Sequence, residues 1–345
     1  MALFCAPGWR EIKDMHELQE RYCVEDSFFH RYFVRNAENR FVNDLKKFML
    51  WHEGHFLDPR KKLDYVRRFL VDELEDFYSK SRFCLPQIGF SLTTRCTLHC
   101  QDCIALSPLF ENPELHKNFT HMDLGFSDFK RELDAVTAGV DGIKRLFLHG
   151  GEPLLNRALP EIVDYSAACG KIELVELITN GTIVPSGLLL DAIERHKDKV
   201  YLAINNYGVN PALKTQLHYE ETVARLNERG IRHPLYSELS WYRQHPLKGQ
   251  GYTSEQTRKM FANCWCKHSL QILNGVLAIC PRASIGELLG LVPTPEEDVI
   301  RLREDITGDT RQRLVDFYKK DSFVACGYCA PQSEVIPPAM QSGDK

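Results

Sequence analysis

The sequence lacks the features that would place the protein in a membrane or on a nucleic acid. None of its apolar stretches approaches the roughly 20 residues that a transmembrane helix needs. Its 43 Lys and Arg residues are balanced by 47 Asp and Glu residues, so the net charge is −4 and no large basic surface is expected. It also has no internal repeat, no low-complexity tract and no recognisable signal peptide. We therefore expect a cytoplasmic globular protein with neither a membrane nor a nucleic-acid partner.

Cysteine, by contrast, is abundant for a cytoplasmic protein of this length, with 12 residues among 345. Eight of the cysteines lie in two regions, three between residues 96 and 103 and five between residues 264 and 329. Clustering of this kind, in a chain with 26% charged residues, favours metal binding over disulfides. The remaining four are interpreted as small apolar core residues: Cys5, Cys23, Cys84 and Cys169.

The first cysteine region has the spacing Cys-x3-Cys-x2-Cys. Cys96, Cys100 and Cys103 directly follow the strand-like stretch Gln87–Leu92. Three thiolates can ligate three irons of a [4Fe–4S] cluster, which leaves the fourth iron open for chemistry. A structural zinc site is the alternative, with His99 or His116 as the fourth ligand, although zinc sites usually have two-residue gaps on both sides.

A second motif follows the apolar strand Arg145–Leu148 and reads His149-Gly150-Gly151-Glu152-Pro153-Leu154. Glycine allows the backbone to approach a ligand closely, and a carboxylate suits an ammonium group. Such a segment on its own would be an ordinary turn, but here it lies at a strand end about fifty residues after the cysteines. The combination is therefore far more specific than either motif alone.

Together the two motifs resemble the radical S-adenosylmethionine (SAM) superfamily, whose members share this cysteine spacing. The resemblance implies that Cys96, Cys100 and Cys103 hold a [4Fe–4S] cluster whose open iron chelates the amino and carboxylate groups of SAM. One electron, from a flavodoxin- or ferredoxin-type donor, would then cleave SAM. The resulting 5′-deoxyadenosyl radical would abstract a hydrogen atom from the substrate. The Gly150–Pro153 segment would bind the SAM amino group.

Two further strands end in polar residues. In the resembled family, groups at these strand ends contact the ribose and carboxylate of SAM, and the candidates here are Thr179, Asn180, Asn205 and Asn206. The alternative is that these residues are ordinary turn formers. One position departs from the family, because the residue before the third cysteine is often aromatic and here is Asp102. The adenine contact would therefore come from elsewhere.

The order of elements predicts an α/β protein. Residues 1–85 have apolar positions at helical spacing and are expected to form a helical N-terminal extension. Residues 86–255 alternate strands with helices such as Ser127–Ala138 and Leu188–His196, which favours parallel strands. The predicted strands are Gln87–Leu92, Arg145–Leu148, Leu174–Ile178, Val200–Ile204 and Arg232–Tyr236. The resemblance implies a partial (β/α)6 barrel, of which these are five strands; the sixth is not placed.

Residues 256–335 contain the second cysteine region. Asn274-Gly275 between two apolar stretches predicts a β-hairpin, which separates Cys264 and Cys266 from Cys280. With the later Cys326-Gly-Tyr-Cys329, this resembles the twitch domain, a shortened form of the SPASM domain, built from a hairpin and a helix. The resemblance implies a second, auxiliary [4Fe–4S] cluster. Its ligands would be Cys264, Cys280, Cys326 and Cys329, with Cys266 as an alternative to Cys264. A zinc ribbon is the other interpretation, and residues 336–345 are expected to form a loose tail.

A fully ligated auxiliary cluster would transfer electrons, so the sequence predicts an oxidoreductase or epimerase that acts on an unactivated C–H bond. The expected substrate is a small polar metabolite, a sugar or aminocyclitol-like unit of a natural product or glycan. A ribosomally made peptide is the alternative, made less attractive by the absence of an evident peptide-recognition domain. A non-catalytic iron–sulfur carrier or SAM-binding module is also kept. For an epimerase, Cys266 is the candidate hydrogen donor to the substrate radical.

Overall fold

The computed structural model describes residues 82–85, 87–112, 121–237, 241–262, 264, 266, 270–303, 310–330 and 334–342. The predicted helical extension, residues 1–85, lies outside this part of the chain except for its last four residues. These four do not continue a helix, because Cys84–Leu85 forms a short strand, β1, whose buried side chains pack on the sheet. The helical content of the rest of the extension stays a prediction.

Strands and helices alternate from residue 88 to residue 236, as the sequence predicts. The elements are β2 (Ile88–Ser91), α1 (Phe126–Gly139), β3 (Gly142–His149), α2 (Leu159–Ala168), β4 (Ile172–Thr179), α3 (Gly187–Arg195), β5 (Val200–Asn205), α4 (Tyr219–Glu228) and β6 (Leu235–Tyr236). All five predicted strands are present, although β6 is shorter than the predicted Arg232–Tyr236. Short 3-10 helices span Ser107–Glu111, Pro153–Leu155 and Pro211–Leu213.

Shorter elements follow. They are β7 (Trp241–Tyr242), α5 (Ser254–Ala262), β8 (Leu270–Leu273), β9 (Val276–Ala278), α6 (Pro281–Leu288), β10 (Ile300–Arg301), α7 (Thr310–Lys319) and β11 (Val335–Ile336), with 3-10 helices at Glu296–Asp298 and Val324–Tyr328. The predicted hairpin is β8–β9. Asn274 and Gly275 both have positive φ, +50° and +82°, which is the conformation that a tight two-residue hairpin turn requires.

One sheet of nine strands organises the molecule. Its order is β10-β9-β8-β2-β3-β4-β5-β6, with β1 beside β3. The six consecutive strands of this order from β8 to β6 all run parallel to one another. The sixth parallel strand is therefore β8, the first arm of the hairpin, which lies next to β2. The hairpin thus extends the main sheet, and because β10 and β6 are the two ends of the order, the sheet of the described residues does not close into a barrel.

The parallel strands β8, β2, β3, β4 and β5 are largely buried on both faces, whereas Leu235 of the edge strand β6 is exposed. Leu146 and Leu148 of β3 belong to the main apolar core, which includes Phe129 of α1 and Ile162 of α2. Because side chains alternate along a strand, Arg145, on the same strand, lies on the opposite face, and that face is more polar. The fold is therefore a mixed α/β structure in which helices cover one face of a parallel sheet. No helix of the described ranges is both long enough and apolar enough to cross a bilayer.

The end of the chain differs from the expected loose tail. Ile336, in β11, pairs with Trp241 of β7. Ile336 and Ala339 are buried, and residues 339–342 lie against the cysteine loop that follows β2. The expectation for residues 336–345 is thus wrong up to residue 342, because backbone hydrogen bonds and two buried apolar side chains attach this segment.

Candidate functional site

The candidate site begins where the loops after β2 and β3 meet. The amide of Gly151 donates to the carbonyl of Thr93 at 2.8 Å, and the amide of Glu152 donates to the carbonyl of Arg95 at 2.8 Å. A Cβ on Gly150 would lie 2.4 Å from the Thr93 oxygen, and one on Gly151 would lie 2.0 Å from the Arg95 oxygen. Both glycines therefore allow the loop after β3 to approach the loop after β2, a role that the sequence did not suggest.

Glu152 is fully buried and faces the end of β4. Its carboxylate accepts hydrogen bonds from the Thr179 hydroxyl (2.8 Å), the Asn180 amide (2.8 Å) and the Leu154 amide (3.1 Å). Burial raises the pKa of Glu152 to about 7. The carboxylate therefore joins the Gly-Gly-Glu-Pro loop to β4, and the predicted contact between its side chain and the SAM amino group stays a prediction. Pro153 is buried next to it and opens a 3-10 helix.

Asn180 connects the end of β4 to the cysteine loop. Its Nδ2 donates to the Sγ of Cys96 at 3.6 Å and to the hydroxyl of Thr97 at 3.1 Å. Asn180 is thus brought to the cysteine loop, and Thr179, next to it, bonds to Glu152. Asn206 lies at the end of β5, where its side chain accepts from the Gly208 amide at 2.9 Å and donates to Ser237 at 3.0 Å. These bonds are typical of a turn former, and SAM contacts by Asn206 and its neighbour Asn205 stay predictions.

Two of the three thiols of the cysteine loop accept hydrogen bonds from amide groups, and the third contacts a hydroxyl. Cys96 accepts from the Leu98 amide at 3.5 Å, Cys100 accepts from the Gln341 side chain at 3.4 Å, and Cys103 donates to Ser107 at 3.8 Å. Burial, with a smaller contribution from the neighbouring thiols, raises the pKa of Cys96 and of Cys100 to about 12. Metal binding would displace the thiol protons. Soft sulfur ligands with N–H donors around them fit an iron–sulfur cluster.

His99, one of the two histidines named for the zinc alternative, pairs with a carboxylate. Its Nδ1 pairs with the Glu111 carboxylate at 2.8 Å, and His116 lies outside the described residues. Over the described part of the chain, no three His, Cys, Asp or Glu side chains are arranged to hold a single metal ion. A [4Fe–4S] cluster does not need such an arrangement, because each thiolate ligates a different iron.

Asp102, the residue that departs from the family pattern, is buried beside Cys103. Its Oδ1 accepts from the Gln244 amide at 2.7 Å, and its Oδ2 lies 3.7 Å from the Arg243 guanidinium. The carboxylate therefore holds the segment after β7 against the cysteine loop.

The second cysteine region forms one group. Desolvation raises the pKa of Cys280, and the nearby thiols of Cys264, Cys329 and Cys326 raise it further. Burial also raises the pKa of Cys326 to about 12. The structure thus brings together the four predicted auxiliary ligands. All four are free thiols, and Cys280 caps the first turn of α6 by accepting from the Ala283 amide at 3.4 Å.

Cys266 belongs to the same group. Its pKa is raised well above the usual range of a thiol, first by a hydrogen bond with Cys264 and then by burial. Five thiols therefore lie in one region, whereas the predicted auxiliary cluster would need four ligands. The choice between Cys264 and Cys266 as ligand, and the role of Cys266 as hydrogen donor, stay predictions.

Several residues of the site carry no recognisable signal in the sequence. Arg282 of α6 bonds to Cys329 and partly offsets the burial that raises the pKa of this thiol. Asn156 donates from its buried amide to the carbonyls of Leu92 (2.7 Å) and Leu124 (2.9 Å), which braces the loop after β2. Gln341 reaches Cys100 from far along the chain. Each is a single polar residue with no motif spacing, so tertiary structure alone identifies it.

Comparison with known proteins gives partial similarity. No family model matches the chain. It is 32% identical over 93 residues to the GTP 3',8-cyclase of Syntrophomonas wolfei, covering 27% of this chain and 26% of that one. It is 36% identical over 97 residues to the GTP 3',8-cyclase of Heliobacterium modesticaldum, covering 28% and 27%. The matched segments span about a quarter of the length of these relatives.

Solved structures give weak similarity. BtrN in complex with AdoMet and 2-DOIA has a TM-score of 0.41 at 14% identity, covering 73% of this chain and 98% of that one. Streptococcus suis SuiB bound to S-adenosylmethionine has a TM-score of 0.35 at 14% identity, covering 73% and 75%. The similarity in sequence to the GTP 3',8-cyclases supports assignment of the chain to the radical SAM superfamily.

Proposed function

We propose that the protein is a radical SAM enzyme that oxidises or epimerises an unactivated C–H bond of a small polar substrate. The observation that carries the proposal is the meeting of three loops at the carboxyl ends of β2, β3 and β4. Gly151 and Glu152 bond to the backbone at the start of the cysteine loop, and Asn180 bonds to Cys96 within it. When bound at Cys96, Cys100 and Cys103, a [4Fe–4S] cluster would supply the electron that cleaves SAM.

The protein residues around this position would fix and desolvate the site. Glu152 and Asn156 hold the loops by buried hydrogen bonds, so the cysteines keep their spacing before any ligand arrives. Amide groups of Leu98, Asn180 and Gln341 point at two of the sulfurs and would favour their thiolate forms.

We further propose that Cys264, Cys280, Cys326 and Cys329 hold an auxiliary [4Fe–4S] cluster, which would supply an electron acceptor for the oxidation. Two features support this proposal: the four thiols lie together, and the guanidinium of Arg282 stands beside Cys329. A positive group next to an anionic cluster lowers the cost of burying its charge.

A small polar substrate is supported by the chemistry of the sheet face opposite the helices. On that face Arg145 and Glu176 form a buried ion pair, and the His149 Nε2 lies 2.7 Å from the Gln271 Oε1. A Cβ on Gly89 would lie 2.8 Å from this histidine nitrogen, so glycine leaves room for the polar pair. Sugar or aminocyclitol-like units remain the leading substrate class.

A purine nucleotide is a second candidate substrate, and a specific observation favours it. The sequence relatives are GTP 3',8-cyclases, which indicates that GTP should be tested beside sugars and aminocyclitols. Because the matched segments cover so little of those enzymes, the likeness supports the superfamily more strongly than it supports this substrate.

The experiment is an anaerobic incubation of the reconstituted protein with SAM and dithionite. We expect release of 5′-deoxyadenosine and about eight irons per chain. Replacing Cys96, Cys100 and Cys103 together with Ala should abolish the release and remove about four irons. Cys169→Ala, a change of the same chemistry in a thiol outside both groups, is the matched control and should match the wild type. A wild-type protein with full iron content and no release would leave the iron–sulfur carrier as the better interpretation.

Product analysis in D2O then separates the two reactions. A dehydrogenase should give a product two hydrogens lighter with no deuterium fixed on carbon. An epimerase should place solvent deuterium on the inverted carbon, because a thiol hydrogen exchanges with solvent. GTP, sugars, aminocyclitols and a peptide panel are compared in parallel, and consumption of GTP alone would favour the second candidate.

A further inference from the structure

The end of the chain crosses the loop that carries the three cysteines. Cys100 and Gln341 form an antiparallel bridge. The Gln101 amide donates to the Met340 carbonyl at 2.8 Å, and the Ser342 amide donates to the His99 carbonyl at 2.7 Å. The Gln101 side chain also donates to the Gln341 carbonyl at 2.7 Å. The segment therefore pairs with the cysteine loop as a strand pairs with its neighbour.

The side chain of Gln341 lies at the centre of this contact and uses both ends of its amide. Its Oε1 accepts from the His99 amide at 2.8 Å. Its Nε2 donates to the Sγ of Cys100 at 3.4 Å and to the carbonyl of Ala339 at 2.7 Å. A single side chain thus holds the backbone on one side of Cys100 and the sulfur itself.

The segment is anchored before it reaches the loop. The Glu334 carboxylate makes two hydrogen bonds to Arg243, at 2.7 and 2.9 Å, and Arg243 also faces Asp102. Ala339 is fully buried, and its carbonyl accepts from Asn210 at 2.9 Å. Ala339 has φ +53°, a conformation that is uncommon without a glycine. Such a conformation persists where the surroundings determine it, which agrees with a fixed attachment.

We propose that residues 334–342 form a strap that fixes the cysteine loop, and that Gln341 is a positioning residue for Cys100. The N–H donor on the sulfur would orient the thiolate and raise the reduction potential of the cluster, because hydrogen bonds to ligand sulfurs stabilise the more negative, reduced state. The part of this proposal that concerns the cluster rests on the proposed function, in which Cys100 is a ligand; the strap itself does not.

Hydrogen exchange of the metal-free protein tests the strap without any cluster. Truncation after residue 333 removes both acceptors that protect the amides of His99 and Gln101. We expect exchange in a peptide spanning these residues to be at least about tenfold faster than in the full chain, since local opening controls it. Exchange in β4 should not change. Equal exchange of the 99–101 amides in both proteins would overturn the strap.

Single substitutions then test Gln341. Gln341→Leu removes all three hydrogen bonds of the side chain, whereas Gln341→Glu keeps an acceptor for the His99 amide and loses the donor to Cys100 and Ala339. Gln312→Leu is the matched control, because Gln312 is exposed on α7 and bonds to Asp316. We expect faster exchange of the His99 amide in Gln341→Leu, and protection close to that of the full chain in Gln341→Glu.

Both Gln341 variants should affect the cluster, measured in the reconstituted protein. We expect a lower midpoint potential, followed in the electron paramagnetic resonance signal that changes when SAM is added. We also expect iron loss to a chelator to be about tenfold faster, the usual effect of removing a residue that supports a metal ligand. A potential and a rate of iron loss equal to those of Gln312→Leu would overturn the role of Gln341. If the wild type binds no cluster at these cysteines, the proposed function fails while the exchange result still decides the strap.

Discussion

Replacing Glu176 with Gln should destabilise the protein by about 3 kcal/mol, because it removes the negative charge that faces Arg145 inside the sheet. Both side chains are fully buried, and Arg145 Nη1 donates to Glu176 Oε2 at 3.1 Å. Breaking a buried pair by removing one partner costs about 3–5 kcal/mol. The lower end applies here, since glutamine keeps one acceptor oxygen and can still bond to the hydroxyl of Tyr236, which donates to Glu176 at 2.7 Å.

The same two strands supply a matched control. Lys144 and Glu173 form an ion pair at 2.7 Å, but the Glu173 side chain is 49% exposed. Glu173→Gln should therefore change the free energy of unfolding by no more than about 1 kcal/mol. The two variants share the change from Glu to Gln and differ in the burial of the side chain. The difference between their free energies of unfolding therefore isolates the cost of an unbalanced charge in the sheet.

The assay is urea unfolding of the metal-free variants, followed by circular dichroism, with the slope of the transition checked for each. If Glu176→Gln unfolds at the same urea concentration as Glu173→Gln, the reasoning is refuted. The double variant Arg145→Met with Glu176→Leu adds a second test. It removes both charges and should be more stable than Glu176→Gln, because neither partner is left buried alone.

Three further predictions concern the site. Gly151→Ala places a Cβ 2.0 Å from the Arg95 carbonyl, so the loop must shift by about 1 Å and SAM cleavage should slow by about a hundredfold; Gly170→Ala, where no atom lies within 4 Å, should cleave SAM at the wild-type rate, and equal rates in both variants would contradict the account. Replacing Cys326 and Cys329 together with Ala should remove about four irons per chain and suppress product while some 5′-deoxyadenosine release remains; unchanged iron would exclude the auxiliary cluster. Cys266→Ala should keep the wild-type iron content, because Cys264 is the predicted ligand, and iron loss in this variant would instead assign Cys266 as the ligand.

The sequence predicted those parts of the fold that depend on local patterns. The five apolar strands and the Asn274-Gly275 turn are visible because each is defined within a few residues. The parallel pairing of β8 with β2 was not predicted. A four-residue hairpin strand has the same sequence pattern whether it belongs to a separate small domain or joins a larger sheet. The attachment of residues 339–342 to the cysteine loop was not predicted either, because backbone hydrogen bonds produce no periodic pattern in the sequence around Ala339.

The residues of the candidate site also fall into those that a local motif predicts and those that only the tertiary structure identifies. The cysteines and the Gly-Gly-Glu-Pro segment form motifs, so their positions could be predicted from spacing. The direction of the Glu152 carboxylate could not, because the sequence specifies the residue type and the packing of β4 decides where it points. Arg282 and Gln341 contribute as single residues that tertiary structure brings to a sulfur.

The place of β8 beside β2 has a consequence for synthesis and for engineering. β8 follows β2 by about 180 residues, a separation that slows folding because the loop between paired strands must close first. Until residue 273 has left the ribosome, one edge of β2 presents unpaired backbone groups, and open edges invite aggregation. A gene fragment that stops before the hairpin should therefore accumulate as insoluble protein. Exchange of the C-terminal region between related enzymes should succeed only when β8 and β2, the strand with which it pairs, come from the same protein.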